Sequence, residues 1–270
     1  MFNLNSKKLL ASTATLAVAL GAVAIAPQSA KAASFGKSWD NNDELCDFRA
    51  NCSLQTLLDE ITTSEEKIDT ENDQSAIELF TPNASSTFTG SFMFEVAGNA
   101  DFNNFGIYKK GTPGTRIKLF DGLTTPDSDA PFPTQATVQF AGNGAVKLGD
   151  TVYNDFGNEF GFYLETKNNI FYTEDALNEN GYEQSVIYQG GGDVDLQIPY
   201  GAGSGNFDED DWIIAFEDLL LSNTDSDYND FVILATDLEA ASTPEPATMA
   251  GLGLVGAAML IRRRQNKKDS

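Results

Sequence analysis

Two short runs, WIIAF at 212–216 and FVIL at 231–234, hold no polar side chain at all. Runs of this length, built from aromatic and β-branched residues, read as strands. A strand that is apolar on both faces needs cover on both. The chain must therefore build a sheet with something packed against each side. The other apolar residues recur with period two. Phe88, Phe92, Phe94 and Val96 alternate with small or polar residues, as do Phe160, Phe162 and Leu164. Val138 and Phe140 run into the turn GNG at 142–144 and out again through Val146 and Leu148, which predicts a hairpin. Shorter runs follow at 170–172 and 186–188, and at Val194, Leu196 and Ile198. Many short strands parted by turn residues predict an all-β, jelly-roll-like sandwich. Helical spacing appears clearly in one place, CSLQTLLDEIT at 52–62. There Ser53 stands at the N-cap of a short amphipathic helix carrying Leu54, Leu57, Leu58 and Ile61. The polar EEKIDTENDQS at 65–75 reads as a loop.

Both ends look like transport segments. Lys7 and Lys8 precede an uncharged stretch at 9–26, and AKA at 30–32 supplies a small-x-small cleavage site. This is the pattern of a secretory signal peptide rather than a lasting N-terminal anchor. At the other end, TPEP at 243–246 breaks the chain, 247–261 carries no charge, and Arg262, Arg263, Arg264, Lys267 and Lys268 follow. The apolar part falls short of the roughly 20 residues a spanning helix usually wants. The basic cluster suits a cytoplasmic stop. The alternative, a buried core helix with a basic tail, is disfavoured by the lack of any polar face. The triplet Pro244, Glu245 and Pro246, the short apolar helix and the arginine cluster together resemble the PEP-CTERM sorting signal of Gram-negative bacteria. The resemblance implies an exosortase-type processing enzyme as partner and transient inner-membrane anchoring through 247–261. It also implies delivery to the cell surface or extracellular matrix, in the company of exopolysaccharide. The expected organisation is a signal peptide at 1–32, an N-terminal helical region with a disulfide loop at 33–83, a β-sandwich domain at 84–240, and a sorting and anchor segment at 241–270.

The charge balance narrows the partners. The chain carries a formal net charge of −23. Without its first 32 residues, which hold Lys7, Lys8 and Lys31, the balance is −26; without 247–270 as well it is −30. From 148 to 246 the only basic residue is Lys167. Such a body repels nucleic acid and anionic lipid and attracts cations. Histidine is absent, which removes the usual general base and the usual zinc ligand. The two cysteines, Cys46 and Cys52, read as one small disulfide loop in an exported chain, with a pair of free thiols as the alternative.

The acids concentrate where the two apolar runs meet. FEDLLLSNTDSDYNDF at 216–231 places Glu217, Asp218, Asp225, Asp227, Asn229 and Asp230 beside the expected core. Each carboxylate pair at about 4 Å costs roughly 1 kcal/mol in water and more near a core. The acids must be protonated, point apart, or share a cation. Asp225-x-Asp227-x-Asn229 offers side-chain oxygens at alternate positions, as calcium requires with its six to eight oxygen ligands. An EF-hand is excluded, because its glycine position holds Asp230 and its glutamate position holds Thr236. Calcium is thus the expected cofactor, in a loop between strands, with a solvated acidic turn as the alternative. A second run, Asp208, Glu209, Asp210 and Asp211, reads chiefly as a solvated loop.

The words FED and D-x-D-x-N-D-F resemble a bacterial extracellular β domain of unknown function. FGIY at 105–108, LFDG at 119–122 and YTEDALN at 172–178 extend the resemblance over roughly 88–238, and the helix resembles the leader region of secreted relatives. The resemblance implies a surface or matrix module that binds calcium and has no known reaction. Relatives often carry histidine after the LN word, where this chain has ENGYEQ. The expected function is a calcium-stabilised structural or adhesive module without enzymatic activity, in contact with acidic exopolysaccharide. The alternative is a calcium-dependent carbohydrate-binding module using Tyr153, Tyr182, Tyr200 or Trp212. A two-carboxylate glycoside hydrolase ranks behind both, since acids are too numerous here for any pair to stand out.

Overall fold

The computed structural model describes residues 33, 35, 53–97, 100–122, 134–199, 203–222 and 226–241. The signal segment, Cys46, Cys52, Tyr200, Asp225 and the sorting segment from 242 onward lie outside the described residues. One compact unit spans 30–243. All described residues belong to it.

The predicted helix forms as α1 (Leu54–Ile61). Ser53 caps it, accepting the N–H of Thr56 at 3.2 Å. Thr62 closes it, sending both its N–H (3.1 Å) and its hydroxyl (2.7 Å) to Leu58 O. Leu54, Leu57, Leu58 and Ile61 are all buried.

Two antiparallel sheets make the sandwich. The larger runs in the order β10 (Ser185–Gln189), β13 (Trp212–Phe216), β14 (Phe231–Thr236), β2 (Thr87–Phe94), β5 (Gln135–Phe140), β6 (Val146–Leu148), β7 (Thr151–Tyr153). The smaller runs β15 (Leu238–Ala240), β1 (Phe80–Pro82), β8 (Phe160–Glu165), β3 (Asn104–Lys109), β4 (Thr112–Phe120), with β9 (Ile170–Tyr172) also paired to β8. A separate ribbon pairs β11 (Asp195–Ile198) with β12 (Gly203–Asn206). The all-β sandwich expected from the period-two pattern is what forms.

The inner faces meet in a core dominated by phenylalanine. Phe105 of the smaller sheet stacks on Phe231 of the larger at 5.1 Å, and Phe80 meets Trp212 edge-on at 5.2 Å. The two fully apolar runs now have their reason. On β13, Trp212, Ile214 and Phe216 face this core, while Ile213 and Ala215 face a second cluster on the outer side. On β14, Phe231, Ile233 and Ala235 point in, and Val232 and Leu234 point out. The outer cluster is completed by the four apolar residues of α1 and by Leu196 and Ile198 of the ribbon. Helix and ribbon are thus the second cover that a doubly apolar strand pair demands.

Candidate metal centre

β13 and β14 pair antiparallel from Trp212↔Ala235 to Phe216↔Phe231. The loop between them therefore leaves and re-enters the sheet at neighbouring positions. This register brings Glu217 and Asp218 beside Asp230, twelve residues later. The N–H of Asp218 donates to Asp230 Oδ2 at 2.8 Å. Glu217 Oε1 accepts the N–H of Tyr228 at 2.6 Å, and its own N–H donates to Gln184 O at 3.1 Å. Asn229 Nδ2 donates to Asp227 Oδ2 at 2.8 Å, and Asn229 O accepts the N–H of Val96 at 3.1 Å.

Two residues outside the loop hold it in place. Gln184 is buried; its Nε2 donates to Leu219 O at 2.8 Å and its Oε1 accepts the N–H of Leu221 at 3.0 Å. Tyr228 is buried too, its hydroxyl donating to Glu183 O at 2.8 Å and its ring meeting Phe35 edge-on at 5.2 Å. Within the loop, Ser226 (φ 58°) and Tyr228 (φ 53°) both take the left-handed conformation. For residues other than glycine each such turn costs roughly 1–2 kcal/mol. The buried bonds of Tyr228 offset that strain and fix the coil.

The acids are withdrawn from water to different degrees. Glu217, Asp218 and Asn229 are buried, and Asp227 and Asp230 half-buried. The carboxyl of Asp230 is pushed well above the usual range. Desolvation is the largest cause, followed by the charges of Asp218 and Glu217 and, more weakly, Asp227; the N–H of Asp218 opposes the shift. A fourth buried side chain joins from the other sheet: Asn103, fully buried just before β3, donates from Nδ2 to Asp218 Oδ2 at 3.1 Å. Its Oδ1 has no hydrogen-bond partner. The donors gathered here are carboxylate and amide oxygens, the set a hard cation such as calcium takes. Among the described residues no three acidic side chains are grouped closely enough to hold a metal by themselves. Amide and backbone oxygens would have to complete any coordination. Asp225, the first acid of the alternating run, lies outside the described residues.

The second acidic run sits at the opposite end of β13. Asp211 Oδ2 accepts the N–H of Asp208 at 3.1 Å, and Asp210 Oδ2 accepts from Asn83 Nδ2 at 2.8 Å. Asp208, Glu209 and Asp210 line an open cleft of about 650 Å³ with Leu238 and Glu239. That run is separated from Glu217 by the whole strand and adds nothing to the crossover site. Trp212 is withdrawn from the sugar-stacking candidates. It is fully buried, its Nε1–H donating to Leu238 O at 3.0 Å.

A third group of acids was not foreseen, because Glu78 lies about a hundred positions before the other two. Glu78, Asp175 and Glu183 line a cavity of about 20 Å³. The N–H of Asp175 donates to Glu78 Oε1 at 3.1 Å. Burial, and then the charge of Glu78, pushes Asp175 up to about 6. Burial, then Asp175, then Glu78, pushes Glu183 up to about 7. Glu78 is raised by burial and by Glu174, against the N–H of Asp175. Raised folded-state values mean that the folded chain binds more protons than the unfolded one. The group's stabilisation is then full near pH 4 and is lost as the pH climbs through 6 and 7. In chelator, the full-length chain should lose on the order of 3 kcal/mol between pH 5 and 8, allowing for solvent screening of half-exposed groups. Urea unfolding at each pH measures this. Glu183→Gln should flatten the slope, and an unchanged slope would count against this cluster as its source.

Comparison with known families bears on the far end of the chain. Residues 242–264 match the PEP-CTERM protein-sorting motif. The motif implies export, anchoring at the C-terminus in the membrane before processing, and processing by an exosortase-type enzyme. Pro244, Glu245, Pro246, Arg262, Arg263 and Arg264 all fall inside the match. No curated protein matches the chain. Among the described residues no helix is long and apolar enough to cross a membrane, and 247–261 lies outside them.

Proposed function

We propose that this chain is a structural or adhesive module of the cell surface or extracellular matrix, with its sandwich tied by calcium at the β13–β14 crossover. The observation that carries the surface assignment is the sorting motif at 242–264 behind an acidic β-sandwich body. The calcium assignment is supported by the buried Glu217 and Asp218 beside Asp230, next to an amide oxygen that has no partner. Calcium there reduces repulsion at the end of β13 and β14. On a body of such negative charge it also offers a bridge to acidic exopolysaccharide. No catalytic role is assigned to any residue.

The test of the sorting half is to replace Pro244, Glu245 and Pro246 by alanine in the full chain, expressed in a host with an exosortase-type enzyme. The parent should appear at the surface in a shortened form, and the variant should stay uncut in the membrane fraction. The same shortened form from both would reject this half of the reading.

A calcium-dependent carbohydrate-binding module is the second reading, favoured by one feature. A cleft of about 380 Å³ between the ribbon and the larger sheet is lined by Thr89, Ser91, Gln135, Thr137, Ser204 and Asn206, among others. Hydroxyl and amide groups suit sugar hydroxyls, and the volume falls within the usual range of roughly 300–1,000 Å³ for ligand sites. Acidic polysaccharide binding that is lost on changing Thr89 and Gln135 together to alanine would favour this reading over the first.

A further inference from the structure

The crossover acids sit at one end of the larger sheet, and Asn103 belongs to the smaller one. It follows a single helical turn (Ala100–Phe102) and precedes the first residue of β3. That turn cannot shift easily. The N–H of Asn103 donates to Ala100 O at 3.1 Å, and Gly122 packs directly on the same turn. A Cβ at Gly122 would lie 2.6 Å from Ala100 O and 2.7–2.8 Å from the backbone of Asn103, so only glycine allows the approach. Two residues further along the chain, Phe105 stacks on Phe231 at 5.1 Å and meets Phe216 at 5.9 Å. Phe216 and Phe231 are the residues immediately flanking Glu217 and Asp230. Asn103 is therefore held by its own turn, with its amide against Asp218 of the opposite sheet.

Its carboxamide is in an awkward position. With Nδ2 on Asp218 Oδ2, Oδ1 is left buried and without a partner beside the same acid. A buried acceptor in that state costs about 1–3 kcal/mol. A cation beside Oδ1 satisfies it with the amide left as it is, and calcium accepts amide and carboxylate oxygens alike.

We propose that Asn103 Oδ1 is a ligand of the crossover calcium, so that the ion links the two sheets instead of sitting in the β13–β14 loop alone. This rests on the calcium reading given above, and it goes further: the ion becomes a fastener of the sandwich. Removing it should loosen one sheet from the other at this end, and the sheets should lock as the exported chain meets calcium outside the cell.

The test uses terbium and calcium with the full-length chain. Terbium binding is followed by its luminescence, and lifetimes in light and heavy water count the waters left on the ion. Calcium affinity is measured by competition. Asn103→Ala should weaken calcium binding about tenfold, the lower end of what a lost metal-site contact costs, and add one water to the bound terbium. Asn103→Asp adds a charged oxygen at the same place and should tighten binding about tenfold. It also keeps the proposal testable if the alanine variant fails to fold. A parent that binds with one affinity, shared by both variants and with the same water count, would overturn the role of Asn103 and leave the crossover site standing. A parent that binds neither ion would overturn both.

Discussion

Alanine at Trp212 should destabilise the full-length chain by about 3–5 kcal/mol, the cost of emptying a large aromatic site in a packed core. That is a large share of the 5–15 kcal/mol typical of a folded domain. The size follows from where the side chain sits. Trp212 is fully buried on β13, its ring meets Phe80 of the smaller sheet edge-on at 5.2 Å, and its Nε1–H donates to Leu238 O at 3.0 Å. It thus joins β13 of one sheet to β1 of the other by packing and to the edge strand β15 by a hydrogen bond. Trp212→Phe keeps most of the packing and orphans one carbonyl, which should limit the loss to about 1–3 kcal/mol. Urea unfolding curves for the two variants separate the contributions. A loss below about 1 kcal/mol for alanine would mean that the interior closes over the gap without difficulty, contrary to the packing described.

Calcium at about 10 mM should raise the thermal midpoint of the full-length chain by about 3–10 °C relative to chelator. An extracellular-type site of about 10⁻⁴ to 10⁻³ M affinity would be ten- to a hundredfold saturated at that level, which stabilises by about 1–3 kcal/mol. For a body of this size each kcal/mol moves the midpoint by about 2–4 °C. The double substitution Asp218→Asn with Asp230→Asn has a two-sided signature. It removes two of the charges that repel one another at the crossover, so the midpoint in chelator should rise. It also removes two oxygens of full charge, so the response to calcium should disappear. A solvated acidic turn would give neither change.

How much of this could be read from the chain depends on how local each cause is. WIIAF and FVIL declared themselves as strands because their side chains are apolar on every face, and β13 forms over the predicted residues. The helix declared itself through Ser53 and four apolar residues at helical spacing. The strands that stayed hidden are those whose reason is elsewhere. The sequence of β12 is GSGN, exposed throughout, and it is a strand only because β11 lies beside it. The first residues of β4, from Thr112 to Arg116, carry no apolar alternation and take their form from pairing with β3. β1 and β15, three residues each, exist through each other.

The site divides along the same line. Glu217, Asp218 and Asp230 could be placed together because they cap two strands that had to be neighbours. The alternate spacing of Asp227 and Asn229 suggested two oxygens turned to one ion, and here these side chains bond to each other at 2.8 Å. Asn103 lies 115 positions before Asp218, and nothing in its own neighbourhood marks it as polar and buried. Gln184, which anchors the loop through both ends of its amide, is equally silent in sequence. One signal was present: Gly122, in the LFDG word, packs on the turn that carries Asn103.

The most direct trial of the account is the anomalous scattering of crystals of the full-length chain grown with terbium in place of calcium. One strong peak is expected within coordination reach, roughly 2.3–2.6 Å, of Asn103 Oδ1 and a carboxylate oxygen of Asp218. A map with no peak there, and with water alone among those side chains, would contradict it.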